Sequence, residues 1–142
     1  DYNWAKSLSY KKVLVISHLS NKISEDKRNP NNFFKNNKLF ENTVFTFMEY
    51  KTDKIEGYNP IDIANVYLGN IVKADFDIAL LDCQGLGNIL AHAIYSKLNK
   101  SAINVGEMLP LLFGYYTNNY KKLNPDVAKM FINKKWECLD KI

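Results

Sequence analysis

Residues 76–107, FDIALLDCQGLGNILAHAIYSKLNKSAINVGE, decide the fold that this sequence predicts. The apolar run Asp77–Asp82 leads into a turn with two glycines, and a stretch with helical spacing, Gly87–Asn99, follows. A second apolar run, Ser101–Val105, then enters another glycine. This order of strand, helix and strand is typical of a parallel sheet covered by helices, in which the turns after the strands meet at one edge.

The rest of the chain continues this alternation. Lys12–Ser17 and Thr43–Tyr50 are apolar and rich in β-branched or aromatic residues, which predicts two further strands. Asn59–Asp62 has the residues of a helix start, an Asn cap followed by Pro, and we expect the helix to reach about Lys73. Asn124–Asp126 repeats that pattern. The sequence therefore predicts an α/β fold, a Rossmann-like three-layer sandwich with a mostly parallel sheet of about four strands.

Apolar residues at helical spacing predict the buried face of each helix. The expected stripes are Ile61, Ala64, Leu68, Ile71 and Val72 in the first helix, Leu90, Ala93, Ile94 and Leu98 in the second, and Val127, Met130 and Phe131 in the third. Residues 18–37 are polar and interrupted by Pro30, so a loop with a short helix around Asn32–Leu39 is expected there.

Length, composition and charge indicate a single globular domain that does not recognise nucleic acid. A chain of 142 residues that is 46% hydrophobic and 24% charged fits one globular domain, which we expect to cover residues 1–142. The net charge is +4, and Arg28 is the one arginine among nineteen basic residues. This argues against nucleic-acid recognition, which depends on arginine. Because the first residue is Asp1 and not Met, we expect a piece of a longer protein.

Cellular location is predicted from cysteines and apolar runs. Cys83 and Cys138 lie far apart in sequence, which is not a disulfide framework and suits the reducing cytoplasm. No run has the length of a membrane span, and no signal peptide is recognisable. Metal-ligand spacings such as CxxC or HxxxH are missing as well. We expect a cytoplasmic protein with neither a membrane span nor a metal site.

The turn Cys83–Asn88 is the strongest candidate for a ligand site. Gly85 and Gly87 would let a ligand approach the backbone closely, and the helix that follows would offer N–H groups to a phosphate or carboxylate. Leu90 stands where the dinucleotide fingerprint has its third glycine, so that motif is only partial. The alternative is that both glycines only shape a tight strand-to-helix turn.

Side chains at the ends of the other strands complete the candidate site, since parallel strands end at the same edge. Glu107 would accept hydrogen bonds from ribose or sugar hydroxyls or act as a base, or would only stabilise the next helix start. His18 and Asp82 are interpreted as ligand contacts, with a structural role as the alternative for His18 and a hydrogen bond to a loop N–H as the alternative for Asp82. Cys83 is expected to be a small buried thiol, and no catalytic residue is assigned. The predicted ligand-binding set is Ser17, His18, Asp82, Gln84, Gly85, Gly87, Asn88, Gly106 and Glu107.

The run Met108–Tyr116, MLPLLFGYY, is the most apolar and aromatic stretch of the chain. If it is exposed, it would line a ligand pocket or form a homodimer or docking face. If it is buried, it would be a helix packed on the sheet. The sequence leaves both interpretations open.

The block from Asp77 to Gly114 resembles the C-terminal half of bacterial GT-D-type glycosyltransferase-like proteins. The matching pieces are Asp77–Gly87, Ala91–Ala93, Lys100–Ile103, Gly106 and Leu111–Gly114, with Trp4 and Lys11–Ser17 upstream. The resemblance implies a Rossmann-like domain that binds a UDP- or GDP-sugar donor in surface polysaccharide or glycoprotein synthesis. The acidic D-x-E motif of that family belongs to its N-terminal half and is not found in this chain.

Three functional hypotheses follow. The first is the nucleotide-sugar-binding part of a glycosyltransferase-like protein, without the catalytic acidic motif. The second is a non-catalytic α/β interaction module that forms a homodimer or docks on another protein. The third is an enzyme that uses a dinucleotide or S-adenosylmethionine at the same turn, which the missing third glycine weakens.

Overall fold

A four-stranded parallel sheet lies at the centre of the computed structural model, which describes residues 3–34, 39–51 and 59–141. Its strands are β1 (Lys12–Ser17), β2 (Val44–Glu49), β3 (Ile78–Asp82) and β4 (Ser101–Asn104). The order across the sheet is β2-β1-β3-β4, and each neighbouring pair is parallel. The predicted α/β class is confirmed, and this sheet is wholly parallel.

Helices and short turns connect and cover these strands. The helices are α1 (Asn3–Lys6), α2 (Ser20–Glu25), α3 (Pro60–Ile71), α4 (Gly87–Leu98), α5 (Leu109–Leu112), α6 (Asn118–Leu123) and α7 (Pro125–Phe131). Turns of 3-10 helix cover Pro30–Asn32, Gln84–Leu86, Gly106–Met108 and Leu139–Lys141, and two short parallel strands pair as β5 (Tyr115–Tyr116) and β6 (Glu137–Cys138). None of the helices within the described ranges is long and apolar enough to cross a membrane.

The sheet is buried on both faces, which produces the three layers. Successive residues of a strand point to opposite faces. Leu14 and Ile16 of β1 accordingly pack in the core beneath α3 and α4. Val13 and Val15 pack in the opposite core with residues of α1, α2 and α5. A strand buried on both faces needs apolar residues at every position, which explains the unbroken run in β1.

Helix-start signals were accurate for α3 and less so for α7. The Asn59 side chain accepts a hydrogen bond from the Asp62 N–H at 2.9 Å, as an N-cap does. At α7, by contrast, the Asn124 amide donates to the Tyr120 carbonyl at 3.2 Å and does not cap the helix. Pro125 still begins that helix, since its fixed φ suits the first helical position.

Two of the predicted apolar stripes were partly wrong. In α3, Ala64, Leu68 and Ile71 are buried, but Ile61 is 63% exposed and Val72 is 58% exposed. The helix packs against the sheet and α4 from Ala64 to its last residue, Ile71, whereas its first turn and the residue that follows it are not covered.

The stripe predicted for α7 is also only partly correct. Ala128 is its buried residue, whereas Met130 is 70% exposed. Phe131 is half-buried against the ring of Phe34, with centroids 5.9 Å apart. The helix is therefore held by Ala128 and Phe131, whereas Met130 is exposed and Val127 is 38% exposed. In α4, the predicted stripe is confirmed apart from a half-buried Leu98.

The polar segment after β1 is more ordered than predicted. It contains α2, where Ile23 is the buried apolar residue, and the 3-10 turn Pro30–Asn32, which the Asn29 side chain caps. The helix expected around Asn32–Leu39 is wrong at residues 33, 34 and 39: Asn32 ends the 3-10 turn, and residues 35–38 lie outside the described part of the chain. A single apolar residue in α2 gives no helical periodicity from which it could have been predicted.

Arg28 holds the β5–β6 pair to the α2 segment. Its guanidinium donates to Glu137 Oε2 at 2.9 Å and to the Gly114 carbonyl at 3.3 Å. It also lies over the rings of Phe33 and Tyr115, 5.0 and 4.5 Å from their centroids. Charge-assisted hydrogen bonds and cation–π contacts are the interactions that arginine makes best, so this residue has a structural role.

Candidate functional site

The loops after β1 and β3 lie side by side at the carboxyl edge of the sheet. Ser17, the last residue of β1, pairs with Asp82, the last residue of β3. From β1 the chain goes to β2 on one side, and from β3 it goes to β4 on the other. This is a topological switch point, the place where open α/β sheets bind their ligands.

A cluster of three polar side chains occupies this switch point. The Ser17 hydroxyl donates to Asp82 Oδ2 at 3.3 Å and accepts from the Leu19 N–H at 3.1 Å. His18 Nδ1 lies 3.7 Å from the same Asp82 oxygen. Asp82 is only 3% exposed, whereas the His18 side chain is exposed. The structure thus brings together three of the predicted site residues, with a buried carboxyl beneath an accessible imidazole.

Ionisation of Asp82 is unfavourable in its buried position. Burial raises the pKa of Asp82 above its ordinary value of 3.8, and the charge of Glu107 raises it further. The charge of His18 and the hydrogen bond from Ser17 act in the opposite direction but do not cancel the burial. A carboxyl in this position gains from any additional hydrogen-bond donor that reaches it.

The pH dependence of stability should reveal this cost. The folded state binds the Asp82 proton more tightly than the unfolded state does. The protonated carboxyl therefore makes its full contribution to stability below pH 3.8, and this contribution is lost as pH rises through the raised pKa. Asp82→Asn does not titrate, so we expect the variant to become more stable relative to wild type as pH rises across this range. Urea unfolding at a series of pH values measures the difference.

Asp75→Asn is the matched control for this prediction. The hydrogen bond from Lys12 lowers the pKa of Asp75, so its charged form favours folding. The variant should therefore lose stability relative to wild type as pH rises through the lowered pKa towards the ordinary value. A slope of the same sign in both variants would contradict the assignment of a raised pKa to Asp82.

Cys83 is a buried thiol, as predicted. It is fully buried, its sulfur lies 3.6 Å from the Ile16 carbonyl oxygen as a weak donor, and burial raises its pKa to about 12. The thiol is therefore protonated at neutral pH and unsuited to nucleophilic chemistry.

The turn Cys83–Asn88 differs from the predicted anion-binding turn, in which free N–H groups would bind a phosphate or carboxylate. Gln84 and Gly85 are exposed, but the Leu86 N–H donates to the Cys83 carbonyl at 3.1 Å, and the Gly87 N–H donates to the Gln84 carbonyl. A 3-10 turn uses its own amides in this way, so two of the donors expected for a ligand are already bonded. Gly85 is the open position, where an added Cβ meets nothing within 4 Å among the described residues.

Gly87 and Asn88 serve the packing of α4 on β4. A Cβ at Gly87 would lie 2.6 Å from the side chain of Asn104, which crosses directly over the glycine. The Asn104 amide donates to Asn88 Oδ1 at 2.9 Å. Gly87 thus allows the Asn104 side chain to pack closely against α4. Asn104 was missed, although a polar residue at the end of an apolar strand is a signal that could have found it.

The remaining predicted residues lie on the turn after β4. Gly106 has a φ of +55°, a conformation that favours glycine, and starts the 3-10 turn Gly106–Met108. Glu107 on this turn is exposed and near enough to Asp82 to raise its pKa. At the end of β2, Glu49 accepts from the Asn21 N–H at 2.8 Å. The edge therefore carries three carboxylates and is better suited to hydroxyl groups than to a phosphate alone.

Comparison of the chain with protein-family models, with curated proteins and with solved structures finds no match. The fold and the geometry at the switch point are therefore the observations from which a function is proposed.

Proposed function

We propose that this chain is the nucleotide-sugar-binding part of a glycosyltransferase-like protein. The donor would lie across the switch point between β1 and β3. Its ribose or sugar hydroxyls would donate to Asp82 and Glu107, and its diphosphate would approach the exposed turn at Gln84 and Gly85. The cluster of Ser17, His18 and Asp82 is the observation that supports this assignment.

The chemistry of the edge favours a ligand that has both hydroxyl and phosphate groups. A buried carboxyl with a raised pKa is stabilised by hydroxyl donors, and vicinal hydroxyls of a sugar supply two at once. The imidazole of His18 lies beside this carboxyl and would donate a hydrogen bond to an oxygen of a diphosphate. A nucleotide sugar combines these groups, whereas inorganic phosphate would meet three carboxylates with little compensation.

Transfer of the sugar would need groups from outside this chain. In GT-D-type proteins, which this chain resembles, the acidic D-x-E motif belongs to the N-terminal half, and this sequence has no such motif. The proposed role is therefore donor binding, with His18, Asp82 and Glu107 as positioning contacts. Dimerisation through Met108–Tyr116, the second hypothesis, loses most of its support because Leu109, Phe113 and Tyr115 are fully buried.

Thermal unfolding with and without nucleotide sugars tests the proposal. At about a hundredfold excess over Kd, a UDP- or GDP-sugar should raise Tm by roughly 5–10 °C. Gly85→Val should reduce the rise to less than about 1 °C, since a branched side chain at the open position blocks the approach of the ligand. No rise with any UDP- or GDP-sugar at millimolar concentration would contradict the proposal.

Gly69→Val is the matched control for Gly85→Val. Gly69 is an exposed glycine in the last turn of α3, and an added Cβ meets nothing within 4 Å among the described residues. Because α3 runs from the carboxyl edge of β2 back to the amino edge of β3, this position is remote from the switch point. The variant should retain the full ligand-induced rise in Tm.

A further inference from the structure

Positive charge is concentrated in one part of the chain, residues 118–136, which we call the basic segment. It contains α6, α7 and the turn that leads to β6. The segment has five lysines and a single acidic residue, Asp126, so its formal net charge is +4, the same as that of the whole chain. The rest of the sequence has fourteen basic and fourteen acidic residues and is neutral. The five lysines are Lys121, Lys122, Lys129, Lys134 and Lys135.

These lysines are accessible to a partner. All five are exposed, and none forms an ion pair with a carboxylate among the described residues. Glu137, which follows the segment, is already paired with Arg28 and Lys22. Asp140 accepts a hydrogen bond from the Asn118 N–H at 2.5 Å. Within the part of the chain that the structure describes, the five ammonium groups are therefore left for an anionic partner.

Two large apolar side chains are exposed among the lysines. Leu123, the last residue of α6, is 69% exposed, and Met130 of α7 is exposed to the same extent. Ala128 and Phe131 pack against the rest of the molecule, so the opposite side of α7 carries Met130 outwards. Lysines combined with exposed aliphatic side chains are typical of helices that lie in the interface of a membrane. There the ammonium groups contact lipid headgroups, and the apolar side chains reach the acyl chains.

The composition of the basic segment favours a lipid surface over a nucleic acid. Nucleic acids are bound mainly through arginine and through aromatic rings on which bases stack. The segment has no arginine, its Tyr120 and Phe131 are half-buried, and Trp136 is buried. Clusters of four to eight basic residues on such helices bind anionic lipids.

We infer that the basic segment binds the surface of a bilayer that contains anionic lipids, with Leu123 and Met130 inserted between the headgroups. The opposite charges of lysines and lipids supply the attraction, and the two apolar side chains add burial. This surface does not depend on the proposed nucleotide-sugar function.

Co-sedimentation of the chain with large unilamellar vesicles tests the inference. Phosphatidylcholine vesicles with about 30 mol% phosphatidylglycerol should bind the chain at least about tenfold more tightly than vesicles of phosphatidylcholine alone. Raising the salt concentration from about 0.1 M to about 0.5 M should weaken this binding, because salt screens the lysines. Equal binding to the two kinds of vesicle would overturn the inference.

Lys122→Gln combined with Lys129→Gln removes two charges from the basic segment. Each lysine near an anionic membrane strengthens binding about fivefold, so the double variant should bind these vesicles roughly ten- to thirtyfold more weakly. Lys73→Gln combined with Lys97→Gln is the matched control, since it removes the same charge from exposed positions after α3 and in α4. These helices cover the other face of the sheet from Phe34, against which α7 packs. The control should lose less than about threefold, and equal losses in both variants would contradict the inference.

Leu123→Gln combined with Met130→Gln tests insertion and leaves the charge unchanged. Both side chains are exposed, so the fold should be retained, which circular dichroism checks. Vesicle binding should fall roughly tenfold or more, because the apolar surface that enters the bilayer is lost. Unchanged vesicle binding would contradict the inference. A DNA duplex of about 20 base pairs that binds more tightly than the vesicles, and equally well to this variant, would overturn it in favour of a nucleic-acid partner.

Discussion

Phe113→Ala is expected to lower the free energy of unfolding by about 3–5 kcal/mol. The Phe113 side chain is fully buried, and its ring makes edge contacts with Phe45 and Phe47 at centroid distances of 5.4 and 5.7 Å. Alanine would leave a void between the sheet and the segment after α5, which the rigid strand β2 cannot fill. Urea unfolding followed by circular dichroism measures the change.

Phe113→Leu separates the loss of volume from the loss of the ring. Leucine keeps most of the buried area, so we expect a cost of about 1–2 kcal/mol. A cost below about 1 kcal/mol for Phe113→Ala would mean that this ring is not part of a close-packed core.

Gly114→Ala should be nearly as damaging, with an expected loss of about 2–5 kcal/mol. Gly114 has a φ of +78°, which an alanine adopts at a cost, and an added Cβ would lie within 2.6 Å of three atoms of the Phe33 ring. That ring cannot move freely, because it lies against the Arg28 guanidinium and makes an edge contact with Trp136. Thermal and urea unfolding measure the loss.

Gly106→Ala is the control that isolates the collision. Gly106 also has a positive φ, +55°, but an added Cβ there meets nothing within 4 Å among the described residues. We expect about 1–2 kcal/mol for this variant, which is the conformational cost alone. Adding Phe33→Ala to Gly114→Ala should cost less than the sum of the two single changes. Equal losses at both glycines would show that the Phe33 ring yields without cost.

The sheet could be predicted from the sequence because each strand has a local signal. The unbroken apolar residues of Lys12–Ser17 and Asp77–Asp82 require burial on both faces, and Asn59–Asp62 fixes where α3 begins. The pair β5–β6 has no such signal, since these two-residue strands are held by groups that are distant in sequence, such as Arg28. Burial at helix ends, as for Ile61, likewise depends on how far the neighbouring layer extends.

The position of the candidate site could be predicted from the sequence, but its hydrogen bonds and packing could not. That Ser17 and Asp82 would meet follows from parallel strands ending together, and the structure places them in hydrogen-bond contact. The hydrogen bonds that the Leu86 and Gly87 N–H groups make within the turn were not predictable. The turn includes Gln84 with a positive φ of 50°, which is uncommon for a residue other than glycine. The polar Asn104 at the end of an apolar strand is a local signal, but its position over Gly87 depends on how α4 packs on β4, which no local pattern encodes.

The interior position of β1 has a consequence for how the chain folds. Its partners β2 and β3 begin more than thirty and sixty residues later, so loop closure must precede most of the contacts that stabilise the sheet. Parallel pairing at such separations is slow. Until both β2 and β3 have paired, the uncharged, β-forming run Val13–Ile16 has at least one unpaired edge. Intermediates that expose this run should self-associate, so refolding yield should fall as protein concentration increases.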